Sequence, residues 1–129
     1  MPHAKTTVTL FRPVGQKELD LIWESGWQRF PPRLSSQPIF YPVLSEEYAT
    51  RIATDWNTKD RNSGFVGYVV SFQVDKDYAD RLEPHEAGGR ACVEYWIPAE
   101  QLDEFNNHII GPIQVIHEFR SQTENIADP

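Results

Sequence analysis

The sequence is poor in the residues on which the commonest site chemistries rest. It has one cysteine, Cys92, which rules out an internal disulfide and a thiolate cluster for zinc and reads as a small buried hydrophobe. His3, His85, His108 and His117 lack metal-ligand spacing, and the Asp75, Asp77, Asp80 group lacks the glycine and terminal glutamate of a calcium loop, so no metal site is expected. There is no GxGxxG and no phosphate-loop motif, and Gly88-Gly89 reads as a turn. Ser35 and Ser36 stand without the His and Asp pattern of an activated nucleophile. Positive charge is also scarce, with 12 Lys and Arg against 19 Asp and Glu and a net charge of −7, which argues against non-specific nucleic-acid binding. A few placed arginines suffice for a small anion. No apolar run reaches transmembrane length, and MPHAKTTV lacks the apolar core of a signal peptide, so no membrane association and a cytoplasmic location are expected.

Bulky apolar residues are plentiful: four Trp, five Tyr and seven Phe supply the core of what 129 residues predict to be one domain, ordered over about 6–119 with a flexible tail over 120–129. Residues 6–14, TTVTLFRPV, alternate as a strand, with Val8, Leu10 and Val14 on one face and Arg12 in phase with them. From Gln16 the spacing turns helical through Leu19, Ile22 and Trp23, with Gly26 as the stop, and 27–38 is an irregular loop. Ile39-Phe40-Tyr41 is a short strand before Pro42. Ser45 then caps a helix whose buried stripe is Tyr48, Ile52, Ala53 and Trp56. After a turn-rich loop over 57–64, Phe65 to Val74 is the longest strand candidate; the charged stretch 75–90 holds one helical turn around Tyr78 to Leu82.

Residues 91–119 read as a buried strand, a helix starting at Pro98 with Leu102, Phe105 and Ile109 on its stripe, a stop at Gly111-Pro112, and a last strand from Ile113 to Phe119. The whole predicts an α+β fold on a small mixed sheet with about three helices. Three residues break the local pattern. Arg12 lies on the inward face of the first strand, Tyr41 ends a short strand, and Glu94 sits among Cys92, Val93, Tyr95, Trp96 and Ile97 in a strand expected to be covered on both faces. A carboxylate there is either paired or faces a cleft, since burying it alone costs several kcal/mol.

The succession LFRPV, then IFYPVLSEEYATRIA, then VEYWIP resembles the ADP-ribosyltransferase fold, whose members bind NAD between two small sheets. In that family a His or Arg ends the first strand, an aromatic or hydroxyl residue precedes a helix with small residues, and a Glu lies in a late strand. Arg12, Tyr41 and Glu94 match in order, with Ala49 and Ala53 as the small residues. Thr6 to Phe119 is also similar to short bacterial proteins labelled "ADP-ribosylation/crystallin J1", although true ADP-ribosylglycohydrolases are larger, all-helical and built on dinuclear metal sites. The resemblance implies that Arg12 contacts the phosphates or ribose of NAD, that Tyr41 stacks near the nicotinamide, and that Glu94 is catalytic and stabilises an oxocarbenium-like transition state, with an acceptor that remains to be identified. The Ser-Thr-Ser triplet is absent, and Cys92 stands where many transferases have Glu or Gln, which disfavours protein-arginine modification.

Other readings compete. Arg12 and Glu94 form a structural ion pair between strands, or Tyr41 is a core aromatic with its hydroxyl at the surface. The corresponding alternative function is a non-catalytic interaction or ligand-sensing module, which predicts a filled cleft and an exposed apolar patch around Trp27, Phe30 and Leu34. A third is an RNA-end-processing relative, which the acidic balance disfavours.

Overall fold

The computed structural model describes residues 6–89 and 92–121. Arg90, Ala91 and most of the expected tail, from residue 122 on, lie outside them. The alternation of the first strand sends Leu10, Arg12 and Val14 inward along β1 (Thr7–Val14), and Gly15 leads into α1 (Gln16–Glu24). β2 (Ile39–Phe40) is followed by α2 (Glu46–Asp55), where the Ser45 side chain accepts a hydrogen bond from the Tyr48 amide at 3.0 Å. Next come β3 (Val66–Asp75) and the single turn α3 (Lys76–Ala79), then β4 (Pro84–Glu86), β5 (Val93–Tyr95), β6 (Ile97–Pro98), α4 (Leu102–Asn107) and β7 (Ile109–Arg120).

The class is α+β, as the sequence predicts. The strand directions differ from the expected mixed sheet, because every ladder among the described residues is antiparallel. β3 lies between β1 and β7, β4 pairs with β5, and β2 pairs with β6. Val43 bridges Phe11 of β1 on one side and Glu94 of β5 on the other, flanked by the bonds Leu44 N to Val93 O at 3.0 Å and Tyr95 N to Pro42 O at 2.9 Å.

β3 is covered on both faces, which is why its first five residues are all buried. The larger core holds Leu10, Ile22, Phe30, Phe40, Phe72 and Phe105; the smaller joins Val43, Ala49, Ala53 and Val69 under α2. Small residues let α2 approach closely: a Cβ on Gly67 would lie 2.7 Å from the Ala53 carbonyl oxygen.

Several expectations are corrected. Trp56 is not on the buried stripe of α2 but 65% exposed, since Ala49 and Ala53 form the contact face and Trp56 caps the helix beyond it. Trp23 is likewise exposed, leaving Ile22 to anchor α1. Pro98 belongs to β6, and Ile109 opens β7 opposite Val74 instead of closing a helix. Gly111-Pro112 does not end a helix; it forms an irregularity within β7, between the pairs Gln73–Ile110 and Ser71–Gln114, with Gly111 at φ +81°. A proline is tolerated there because β7 is an edge strand. Among the described residues, no helix is long and apolar enough to cross a membrane.

Candidate functional site

The site begins with a missing hydrogen bond. Phe11 and Val43 exchange both backbone bonds, Phe11 N to Val43 O at 2.9 Å and Val43 N to Phe11 O at 2.8 Å. In an antiparallel ladder the next such pair would be Pro13 with Tyr41, but proline has no N–H to give. The two segments separate there. The orphaned Tyr41 carbonyl accepts instead from Arg12 Nη1 at 3.2 Å. A cleft of about 790 Å³ opens at this point, and Arg12, Tyr41 and Glu94 all line it.

Arg12 is 8% exposed and does not pair with Glu94. Its partner is Glu18 in the first turn of α1, which accepts from Nε at 2.7 Å and from Nη2 at 2.9 Å. The guanidinium also lies 4.5 Å from the centre of the Phe40 ring. The structural ion pair is therefore real, but with a different acid. Residue spacing held a signal for it: α1 starts directly after the extended Gly15, so its first acid, six residues after Arg12, falls alongside the end of β1.

Glu94 is not in a strand covered on both faces. β5 is half-buried along its length, lying between the short β4 and the irregular segment Pro42 to Leu44, and Trp96 is 49% exposed. The carboxylate is held by neutral donors, Tyr48 Oη at 3.1 Å and Trp96 Nε1 at 2.8 Å. Burial, followed by the hydrogen bond to Glu94 and its charge, pushes the Tyr48 phenol up to about 12. Trp96 is fixed in turn by His85, stacked face to face at 3.9 Å, and by the edge contact with Tyr41 at 6.3 Å. Tyr41 is 39% exposed and is not a core aromatic.

Four contributors escaped the sequence reading. Tyr48 was assigned to the buried stripe of α2, although the Ser45 cap sets it in the turn facing β5. Trp96 lies two residues from Glu94, on the same side of an extended segment, which was a usable signal. Trp56 projects into the cleft from the end of α2. Arg33 sits in the loop after α1, where no periodicity marks it; its Nη2 donates to the Ile39 carbonyl at 3.0 Å.

The first part of that loop is packed firmly. Phe30 is 2% exposed, and the Asn106 side chain of α4 exchanges hydrogen bonds of 2.9 and 3.0 Å with its backbone. The expected exposed patch at Trp27, Phe30 and Leu34 is thus reduced to Leu34. Pro31 to Leu34, with Ser36 and Gln37, forms one wall of the cleft. Among the described residues, no three His, Cys, Asp or Glu side chains gather as a metal site would require.

The cleft is polarised. A chain of contacts runs from Arg33 and Arg12, both facing the Phe40 ring, through Tyr41 and Trp96 to Glu94 and Tyr48. Arg33 and the Arg12–Glu18 pair lie at one end, and at the other lies a carboxylate with no cationic partner among the described residues. Such a cleft favours a ligand with an anionic part, a flat ring and a centre of positive charge. Set against protein-family models, curated proteins and solved structures, the chain matches none of them.

Proposed function

We propose that this chain binds NAD, or an ADP-ribose-type nucleotide, in the cleft and cleaves the nicotinamide–ribose bond in the manner of an ADP-ribosyltransferase-like domain. The observation that carries the reading is Glu94: a carboxylate from a late strand, restrained by two neutral donors, facing the same cleft as Arg12 and Tyr41. The cleft volume falls within the roughly 300–1,000 Å³ usual for small-molecule sites.

The carboxylate is suited to charge that develops during the reaction. As the bond between the anomeric carbon and the pyridinium nitrogen breaks, its electron pair passes to nicotinamide, which leaves neutral, and the ribose takes on oxocarbenium character. Glu94 stabilises that cation without having to leave a salt bridge to any of the described residues, because Tyr48 and Trp96 orient it but do not neutralise it. Water or an acceptor nucleophile then bonds to the anomeric carbon and releases a proton to solvent. Tyr41 and Trp96 offer ring faces and edges to the nicotinamide. Arg12 uses three N–H groups within the protein and keeps the others for ribose oxygens.

The test is calorimetry with NAD together with chromatographic detection of released nicotinamide. Wild type is expected to bind and turn over NAD, and Glu94→Gln to bind it while losing about 100-fold or more in release. Absence of binding by the wild type, or unchanged release in Glu94→Gln, overturns the reading.

A further inference from the structure

The Nε–Nη2 edge of Arg12 is already taken. Glu18 meets two of its nitrogens, and the Tyr41 carbonyl meets the third. Arg33 is in the opposite condition. Its guanidinium also faces Phe40, at 5.8 Å from the ring centre, and Nη2 has the Ile39 carbonyl, but Nε is shielded from solvent with no acceptor among the described residues. Burial and the like charge of Arg12 both work against the protonated form of Arg33, and Glu18 only partly offsets them. A desolvated cation without sufficient acceptors is costly unless something supplies them. Its loop, PPRLSSQP, contains no acid, while Ser36, Gln37 and Lys17 add donors along the same wall.

Building on the nucleotide reading of the cleft, we propose that Arg33, and not Arg12, is the anchor for a phosphate or pyrophosphate oxyanion, while Glu18 withholds Arg12 from that task. Because Nε is shielded, the oxyanion meets the Nη groups of Arg33 along the cleft, where a planar guanidinium can give two N–H groups to two oxygens and the added negative charge offsets the cost of the half-buried cation.

The experiment uses the full chain labelled with nitrogen-15 and titrated with pyrophosphate, by calorimetry and through the arginine Nε–H resonances, with Arg33 assigned from the signal lost in Arg33→Lys. The wild type is expected to bind, with the Arg33 resonance shifting most. Arg33→Ala should weaken binding about tenfold or more. Glu18→Gln should tighten it by freeing Arg12. An Arg33 resonance that stays in place at saturation, or equal affinity in Arg33→Ala, overturns the assignment. So does the absence of pyrophosphate binding by the wild type. The resonance decides the matter even if Arg33→Ala proves unstable. Malonate displacing pyrophosphate at equal concentration would identify a carboxylate site and overturn the phosphate assignment. Pyrophosphate binding without nicotinamide release would sink the catalytic reading alone; nicotinamide release with pyrophosphate binding indifferent to Arg33 would sink this one alone.

Discussion

Tyr48 connects the stability of the fold to the state of Glu94. Its phenol, pushed up to about 12 from an ordinary value of 10.0, remains protonated in the folded chain at a pH where the unfolded chain releases the proton. A folded value above the unfolded one means that this contribution is whole below pH 10 and drains away as pH rises towards 12. Burial supplies the largest part of the shift, and Glu94 the next. In an ultraviolet titration, Glu94→Gln should therefore move the Tyr48 transition part of the way back to its ordinary value, with Tyr48→Phe identifying which transition it is. A Tyr48 transition at the same pH in both backgrounds would show that the carboxylate does not act on the phenol. Residue chemistry of this kind was only half legible in the sequence. Glu94 stood out because a carboxylate in an apolar run demands a reason, whereas nothing in the local pattern marked a helix tyrosine 46 positions earlier as its partner.

At the scale of elements, the close approach of α2 to β3 carries the site. It sets Tyr48 opposite β5 and leaves Trp56 pointing into the cleft. Gly67→Ala would press a methyl group against the Ala53 carbonyl oxygen at 2.7 Å and its Cβ at 2.9 Å, and both neighbours are held by the helix. The expected result is a loss of about 1–3 kcal/mol in urea denaturation. Unchanged stability would mean that α2 moves away without cost, and then the Tyr48–Glu94 bond should be lost as well. The periodicities of β1 and β3 were readable because each buries one face or both along most of its length, whereas α1 and α2 were placed as helices but bury only Ile22 and the pair Ala49 and Ala53. The last strand was read from Ile113 to Phe119 but its start, Ile109 to Pro112, was misread for a physical reason: Gly-Pro stops a helix and is equally at home in a bulge on an edge strand, and only pairing with β3 distinguishes the two.

At the scale of the whole molecule, the Arg12 cluster and the segment around Val43 tie the two sides of the cleft together. Arg12 connects β1 to α1 through Glu18 and to the β2 segment through the Tyr41 carbonyl and the Phe40 ring. Arg12→Ala strands a Glu18 carboxylate whose side chain is 20% exposed and leaves the Tyr41 carbonyl without its donor, at an expected cost of about 3 kcal/mol. Glu18→Ala should be destabilising too, and the double variant should cost clearly less than the sum, because the two residues act as a unit. Strict additivity in thermal or urea unfolding would show that the pair is not coupled.

The sequence by itself determined the α+β class, most of the strands and helices, and the three residues that break the pattern, since all of these follow from short-range periodicity and from the cost of burying charge. It also held the cause of the cleft, because Pro13 has no N–H to give to whichever segment its nitrogen faces, while the ladder on its other side runs on through Pro13–Val69. Only the tertiary structure decided which segment the Pro13 nitrogen faces, and so that Arg12 answers to Glu18 and Tyr41, and that Glu94 rests on Tyr48 and Trp96. Arg33 entered the cleft by the same route. Such pairings join residues whose separation along the chain obeys no period, and only the packing of distant segments brings them into contact.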